Sequence, residues 1–303
     1  MGKTAFIFPG QGSQYVGMGK DLWETYPEVR ELYELSSGIS GMDVARISFE
    51  GPVDERNRDI EAQVSMYVCN EAYRLAAGKA GTAPDAVTGY SLGFYSAAVA
   101  AGSLTFADGL KAVQAAGCHA AAENRLRHGA MAAVIGLDLG DVTDICLGCK
   151  QDGGVSVSNI NAARQIIISG AVRDVGRAVE LALEKGALSA YTLDIGAAYH
   201  SPMMEDASMR FSHDLKDIRF DIPRLPLLSY IRAEYLADGE EVRKTMGMQL
   251  KSTVLWKDCV IKLIGDGFDH FIEMGPGSAL SRMVRWVDRD VRITPADALL
   301  GKA

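Results

Sequence analysis

Residues 85–104 read Asp85-Ala-Val-Thr-Gly-Tyr-Ser-Leu-Gly-Phe-Tyr-Ser-Ala-Ala-Val-Ala-Ala-Gly-Ser-Leu104. The run opens as a short apolar strand ending at Thr88, turns sharply over Gly89-Tyr90-Ser91-Leu92-Gly93, and continues as an alanine-rich helix closed by Gly102. A G-x-S-x-G turn between a strand and a helix is a nucleophile elbow, and the flanking context is what gives the motif meaning. A serine on so tight a turn needs small neighbours, and Gly89 and Gly93 let adjacent backbone pass close by. The Ser91 hydroxyl then stands clear of the sheet at the positive end of the following helix. The Leu92 N–H is left free to donate to an oxyanion. The competing reading is a glycine-flanked turn carrying an incidental serine.

Upstream of the elbow, Ala5–Phe8 is a short apolar strand broken by Pro9-Gly10-Gln11-Gly12-Ser13-Gln14. That loop lacks the span and the Lys-Ser/Thr pair of a phosphate-binding P-loop, and it is not G-x-G-x-x-G. It reads instead as a loop that offers backbone donors. Helical patterns follow over 20–36 and 63–77. Downstream, Thr105 is placed to cap a helix over 106–123.

The character then changes. Strand 130–137, helix 141–150, strands 155–159 and 165–169, helix 172–185 and strand 189–194 make a β-α-β-β-α-β order, the ferredoxin-like signature. Residues 128–196 are therefore expected to form a small inserted α+β domain. Residues 1–127 and 197–303 would then form one larger domain. Its later elements are expected as a helix from Pro202, a strand over 225–230, helices over 240–250 and 254–266, a strand over 270–273 and a helix over 279–287. Alternation of strands and helices predicts an α/β domain with a mainly parallel sheet.

Composition sets outer limits. The 303 residues are 48% apolar and 23% charged, enough to bury a sizeable core. A net charge of −8 argues against nucleic acid, which wants a basic face, and against anionic membrane surfaces. The N-terminus has no secretory pattern, and no apolar run reaches the roughly 18 residues of a spanning helix, so a cytoplasmic protein is expected. Five scattered cysteines predict free buried thiols. Cys146-Leu-Gly-Cys149 has no second pair to complete a zinc site, and no metal is expected.

A serine nucleophile needs a base, normally histidine. His119 falls within the helix after the elbow, His128 at the edge of the insert, His213 beside Asp214, and His270 before a buried strand. His200 sits in Gly196-Ala-Ala-Tyr-His-Ser-Pro-Met, where the chain returns from the insert to the main sheet. Clefts form at such seams, and His200 is the candidate base.

Taken together, F-P-G-Q-G-S-Q at 8–14, G-Y-S-L-G at 89–93, G-A-M-A-A-V-I-G at 129–136, Y-H-S-P-M at 199–203, Gln249-Leu250 with Trp256, and M-G-P-G at 274–277 resemble, in order, the malonyl-CoA:acyl-carrier-protein transacylases. The resemblance spans essentially the whole chain. It implies a hydrolase-like α/β domain with a ferredoxin-like insert, and a serine acyl-enzyme mechanism of ping-pong type. Ser91 matches the nucleophile and His200 its base, oriented by a backbone carbonyl near Gln249. The N–H groups of Gln11 and Leu92 match the oxyanion hole. Acyl-CoA is the implied donor and the phosphopantetheine thiol of an acyl carrier protein the acceptor, with no permanently bound cofactor and a monomeric enzyme.

The sequence departs from the family at three places. The arginine that pairs with the malonyl carboxylate aligns with Ala116, the histidine before the serine is Tyr90, and a glutamate three residues after the serine is Phe94. With Tyr199, these residues are expected to line the acyl pocket. All three changes remove charge, which predicts a pocket preferring an uncharged acyl group, or a carboxylate reached by Arg125 or Arg127 folding back. A hydrolase that strips acyl groups from carriers would use the same serine, base and oxyanion hole. A catalytically idle scaffold is a third reading, opposed by the intact Gln11, Ser91 and His200 set.

Overall fold

The computed structural model describes residues 2–51, 59–151 and 153–300. Strand β1 (Lys3–Phe8) lies at the centre of a five-stranded parallel sheet. On one side it pairs with β2 (Ala86–Gly89), which pairs in turn with the two-residue β7 (Leu227–Leu228). On the other side it pairs with β8 (Phe268–Glu273), flanked by β9 (Arg292–Pro295). Ala5 to Phe8 are all buried, as a near-continuous apolar run in a parallel sheet requires. Register matches Phe8 with Gly89 and Ile7 with Glu273. The carboxyl ends of β1, β2 and β8 therefore stand level, and the loops leaving them meet at one edge, where open α/β sheets bind ligands.

The elbow is built by close backbone approach. Helix α5 (Gly93–Ala100) starts directly after the turn. A Cβ on Gly93 would lie 2.0 Å from the Phe8 carbonyl oxygen, and one on Gly89 would lie 2.1 Å from the Gly93 carbonyl carbon. Only glycine fits at either position. Before the elbow come α1 (Lys20–Thr25), α2 (Pro27–Ser40), α3 (Val44–Phe49) and α4 (Asp59–Lys79). The helix expected over 20–36 is two helices, because Tyr26 is extended and Pro27 starts a new one. After the elbow, Thr105 accepts from the Asp108 N–H and caps α6 (Phe106–Leu126), which packs on α4.

The second sheet is antiparallel. Its order is β4 (Val155–Ala162), β5 (Gln165–Ala171), β3 (Gly129–Ile135), β6 (Ser189–Thr192). With α7 (Leu139–Gly148) and α8 (Val172–Glu184) this is the ferredoxin-like arrangement. Side chains alternate across it. Ala130, Ala132, Val134, Ile166 and Ile168 point into a small core with Val142, Ile145 and Val175 from the two helices. Cys146 and Cys149 are buried thiols of that core, and burial pushes Cys146 up to about 12. Cys118, expected to be buried, is exposed on α6. The opposite face of the sheet carries Met131, Ala133, Asn159, Asn161, Gln165 and Ile167 and turns toward the main domain.

Beyond the insert a short 3₁₀ turn at Pro202–Met204 leads into α9 (Glu205–Asp214), followed by α10 (Gly239–Met248), α11 (Trp256–Gly265), α12 (Ala279–Val287) and α13 (Ala296–Leu299). The strand expected over 225–230 shrinks to Leu227–Leu228, since the chain folds back at once and Ser229 N–H donates to the Glu234 carbonyl. Among the described residues no helix is long and apolar enough to cross a membrane. Gly93→Ala should lose about 3 kcal/mol of stability, the upper range for forced overpacking, read as a lowered urea midpoint with an unchanged m-value.

Candidate active site

Ser91 sits at the turn with φ +52°, and His200 faces it with φ +60°. Both lie in the left-handed region, which costs a non-glycine residue about 1–2 kcal/mol. The geometry obtained is a Ser91 Oγ to His200 Nε2 contact of 2.7 Å. On the far side of the ring, His200 Nδ1 lies 3.0 Å from the Ser252 carbonyl oxygen. That carbonyl accepts the Nδ1 proton, so Nε2 keeps a lone pair for the serine hydroxyl. The backbone is fixed as well: His200 N–H donates to the Leu250 carbonyl at 2.7 Å.

Burial pushes the imidazole down to about 4, outweighing the upward pull of the Ser252 and Gln249 carbonyls. The ring is therefore neutral across the physiological range and able to accept a proton. The orienting carbonyl was expected near Gln249; the 3.0 Å contact is to Ser252, three residues on, and the Gln249 carbonyl also acts on the ring. The Gln249 side chain turns away, donating to the Tyr95 hydroxyl and accepting from Tyr230 at 3.2 Å.

The pair opens into a cavity of about 470 Å³. The first loop supplies Gln11 to one side, and α12 supplies Leu280 and Met283. Glu273, buried at the end of β8, accepts from the N–H groups of Leu280 at 3.0 Å and Ser281 at 2.8 Å and fixes the start of α12. The remaining wall is the open face of the insert sheet. Gln11 and Leu92 both line the cavity, and neither backbone N–H meets an acceptor among the described residues. Two such donors beside a serine are the elements of an oxyanion hole.

Of the expected pocket residues, Ala116, Tyr90 and Tyr199 line this cavity. Phe94 does not: it is fully buried, its ring 5.3 Å from that of Tyr230. Three residues past the serine the helix has rotated that side chain into the core, and Tyr95 reaches the cavity instead. Arg125 and Arg127 do not line it either. Arg125 is exposed in the last turn of α6, and Arg127 meets Glu123 at 3.5 Å and Asp206 at 3.4 Å. Among the described residues no lysine or arginine lines the cavity, and its one carboxylate is that of Asp194.

The sequence reading missed Gln63, Asn159 and Asn161. Gln63 donates to the Tyr199 hydroxyl at 2.9 Å and to Gln11 Oε1 at 3.4 Å, joining α4 to the first loop and to the histidine's neighbour. Gln63 is one of several buried polar residues on an amphipathic helix, so no local signal singled it out. The asparagines occupy alternate positions on β4, a period-two polar pattern in an otherwise buried strand. Two other histidines are engaged elsewhere: His119 contacts Asp214 at 2.7 Å and His270 contacts Thr294 at 2.9 Å.

Comparison with known proteins finds acyl transferases. The family model "Acyl transferase domain" matches residues 5–302. The malonyl CoA-acyl carrier protein transacylase of Bacillus subtilis is 33% identical over 96% of this chain and 92% of its own. Among solved structures, the malonyl-CoA:acyl carrier protein transacylase of Xanthomonas oryzae pv. oryzae superposes with a TM-score of 0.93 at 32% identity, covering 97% of this chain and 94% of that one. A malonyl-transacylase solved in complex with its type II PKS acyl-carrier protein (PlMCAT:AntF) gives 0.92 at 29% identity, over 97% and 95% of the two chains.

A neutral buried imidazole sets the expected pH response. Labelling of Ser91 by a sulfonyl fluoride, followed by intact mass, should hold level from pH 8 down to pH 5. It should fall only as the imidazole takes a proton near pH 4, the value to which burial lowers it. Inflection near an ordinary histidine value of about 6.5 would contradict this environment.

Proposed function

Because the chain belongs to the acyl transferase domain family and to its malonyl-CoA:acyl-carrier-protein transacylase branch, we propose that it moves an acyl group from coenzyme A to an acyl carrier protein through an ester on Ser91. The Ser91 hydroxyl attacks the thioester carbonyl as its proton passes to His200 Nε2. The oxyanion that appears takes donors from Gln11 and Leu92, an interaction present only at the tetrahedral stage and therefore catalytic. The C–S bond breaks and the coenzyme A thiolate takes the proton from the imidazolium. In the second half-reaction the phosphopantetheine thiol of the carrier gives its proton to Nε2 and attacks the ester. Carbon–oxygen cleavage then returns the Ser91 hydroxyl. The 2.7 Å Ser91–His200 contact is the observation that carries this reading.

The acyl group we assign is uncharged. Ala116 lines the cavity, no cationic side chain does so among the described residues, and Asp194 contributes a negative charge. A malonyl carboxylate placed there would lack a buried partner, a loss of roughly 3–5 kcal/mol. Intact-mass measurement after incubation with malonyl-, acetyl- and butyryl-CoA tests this. Acetyl or butyryl should dominate the adduct on Ser91; a predominantly malonylated enzyme would refute the neutral pocket. Ala116→Arg should shift the preference toward malonyl by roughly 10² to several 10³, the factor that pairing energy represents. Addition of holo carrier protein should release the ester far faster than water does, whereas equal rates would indicate a hydrolase.

A further inference from the structure

Edge strand β4 of the insert bonds to Tyr90, beside Ser91, and to residues 253–254, beside the Ser252 carbonyl that meets His200. Its first connection runs to the elbow. Ser158 Oγ donates to Asn159 Oδ1 at 2.7 Å, and Asn159 Nδ2 donates to the Tyr90 hydroxyl at 2.7 Å. The Tyr90 hydroxyl in turn donates to Asn161 Oδ1 at 2.9 Å. Every group in this chain has one direction, so each bond polarises the next. Tyr90 immediately precedes Ser91, and its ring also meets Trp256 edge-on at 5.6 Å.

The second connection runs to the histidine. Val254 N–H donates to the Ser158 carbonyl and Ile160 N–H donates to the Val254 carbonyl, each at 2.8 Å. Thr253 Oγ1 adds a bond to the Val157 carbonyl at 3.2 Å. These bonds hold residues 253–254 as a short parallel bridge on β4. Ser252, directly before that bridge, supplies the carbonyl that takes the His200 Nδ1 proton.

We infer that Tyr90 is a positioning residue: through Asn159 and Asn161 it registers the elbow against the same strand that registers the His200 acceptor. The inserted domain thereby sets the distance between nucleophile and base as well as walling the cavity. This rests on Ser91 and His200 acting together as proposed above. Tyrosine suits the position because its hydroxyl both accepts and donates, and phenylalanine would keep the ring packing while removing both bonds. The left-handed backbone at Ser91 is held from outside, and the Tyr90 hydroxyl bonds add a side-chain hold to the backbone contacts that fix the turn.

The test uses a reagent indifferent to acyl identity. Ser91 labelling by a fluorophosphonate should be about 10- to 100-fold slower in Tyr90→Phe, the range a displacement near 1 Å can produce, with the thermal midpoint close to that of the parent. Asn159→Ala should slow labelling similarly, and the double variant should be no slower than either single one, since both cut one chain. Parent-like labelling in Tyr90→Phe, or independent and multiplicative effects in the double variant, would overturn the inference. Should Tyr90→Phe unfold, Asn161→Ala leaves the ring in place and carries the same expectation. A parent protein that does not label at Ser91 would instead remove the serine nucleophile, and this inference with it. The labelling rate of Tyr90→Phe should fall at every pH while its pH inflection stays at the parent's position, a split that general loosening around His200 does not produce.

Discussion

The organising constraint is a single contact between two residues 109 positions apart, the serine hydroxyl and the imidazole at 2.7 Å. Neither residue sits in a relaxed backbone conformation, since both have positive φ. Together the two conformations cost about 2–4 kcal/mol, comparable to a large part of a domain's net stability. Strain of this size persists only where the surroundings over-determine it. At the elbow the determinants are the Gly89–Gly93 approach and the Tyr90 N–H bonded to the Phe8 carbonyl. At the histidine they are the Leu250 carbonyl on the backbone and the Ser252 carbonyl on the ring.

The level carboxyl ends of β1, β2 and β8 bring the first loop, the elbow and the start of α12 to one edge. They do not close a cavity alone. The insert completes it through strand alternation on β3 and β5: residues 131, 133, 165 and 167 face the cleft, while Ala132, Val134, Ile166 and Ile168 hold the small core, and a register shift in β4 brings Asn159 and Asn161 to the cleft side. One sheet thus serves as structural support on one face and as pocket wall on the other. A shift of one residue in its register would exchange the two sets.

Much of this was legible in the sequence for physical reasons. G-Y-S-L-G between a strand and a helix left few geometries for Ser91, and small residues around His200 at the end of the insert marked a seam. The β-α-β-β-α-β order gave the second sheet. What was not legible depended on non-local pairing. The parallel bridge from β4 to Val254 involves residues 95 apart, so nothing local pointed to Ser252 beside the carbonyl near Gln249. Phe94 failed because alignment with a polar family position says nothing about which way a helix has turned. Strand β9, Arg292–Pro295, escaped notice because it is a short edge strand with little apolar alternation.

The lack of cationic side chains in the cavity and the low basicity of His200 belong to one electrostatic argument. Burial alone holds the imidazole neutral, and a neutral imidazole is the form that can take the serine proton. An unpaired carboxylate within about 4–6 Å would favour the imidazolium. An anionic acyl group in this cavity would therefore meet two penalties: its own desolvation without a partner, and a rise in the basicity of the ring that must accept and return protons. In a relative with an arginine at the Ala116 position, the guanidinium would compensate both at once. The uncharged acyl group proposed for this cavity would make that compensation unnecessary, so the neutral imidazole and the composition of the cavity wall support the same proposal.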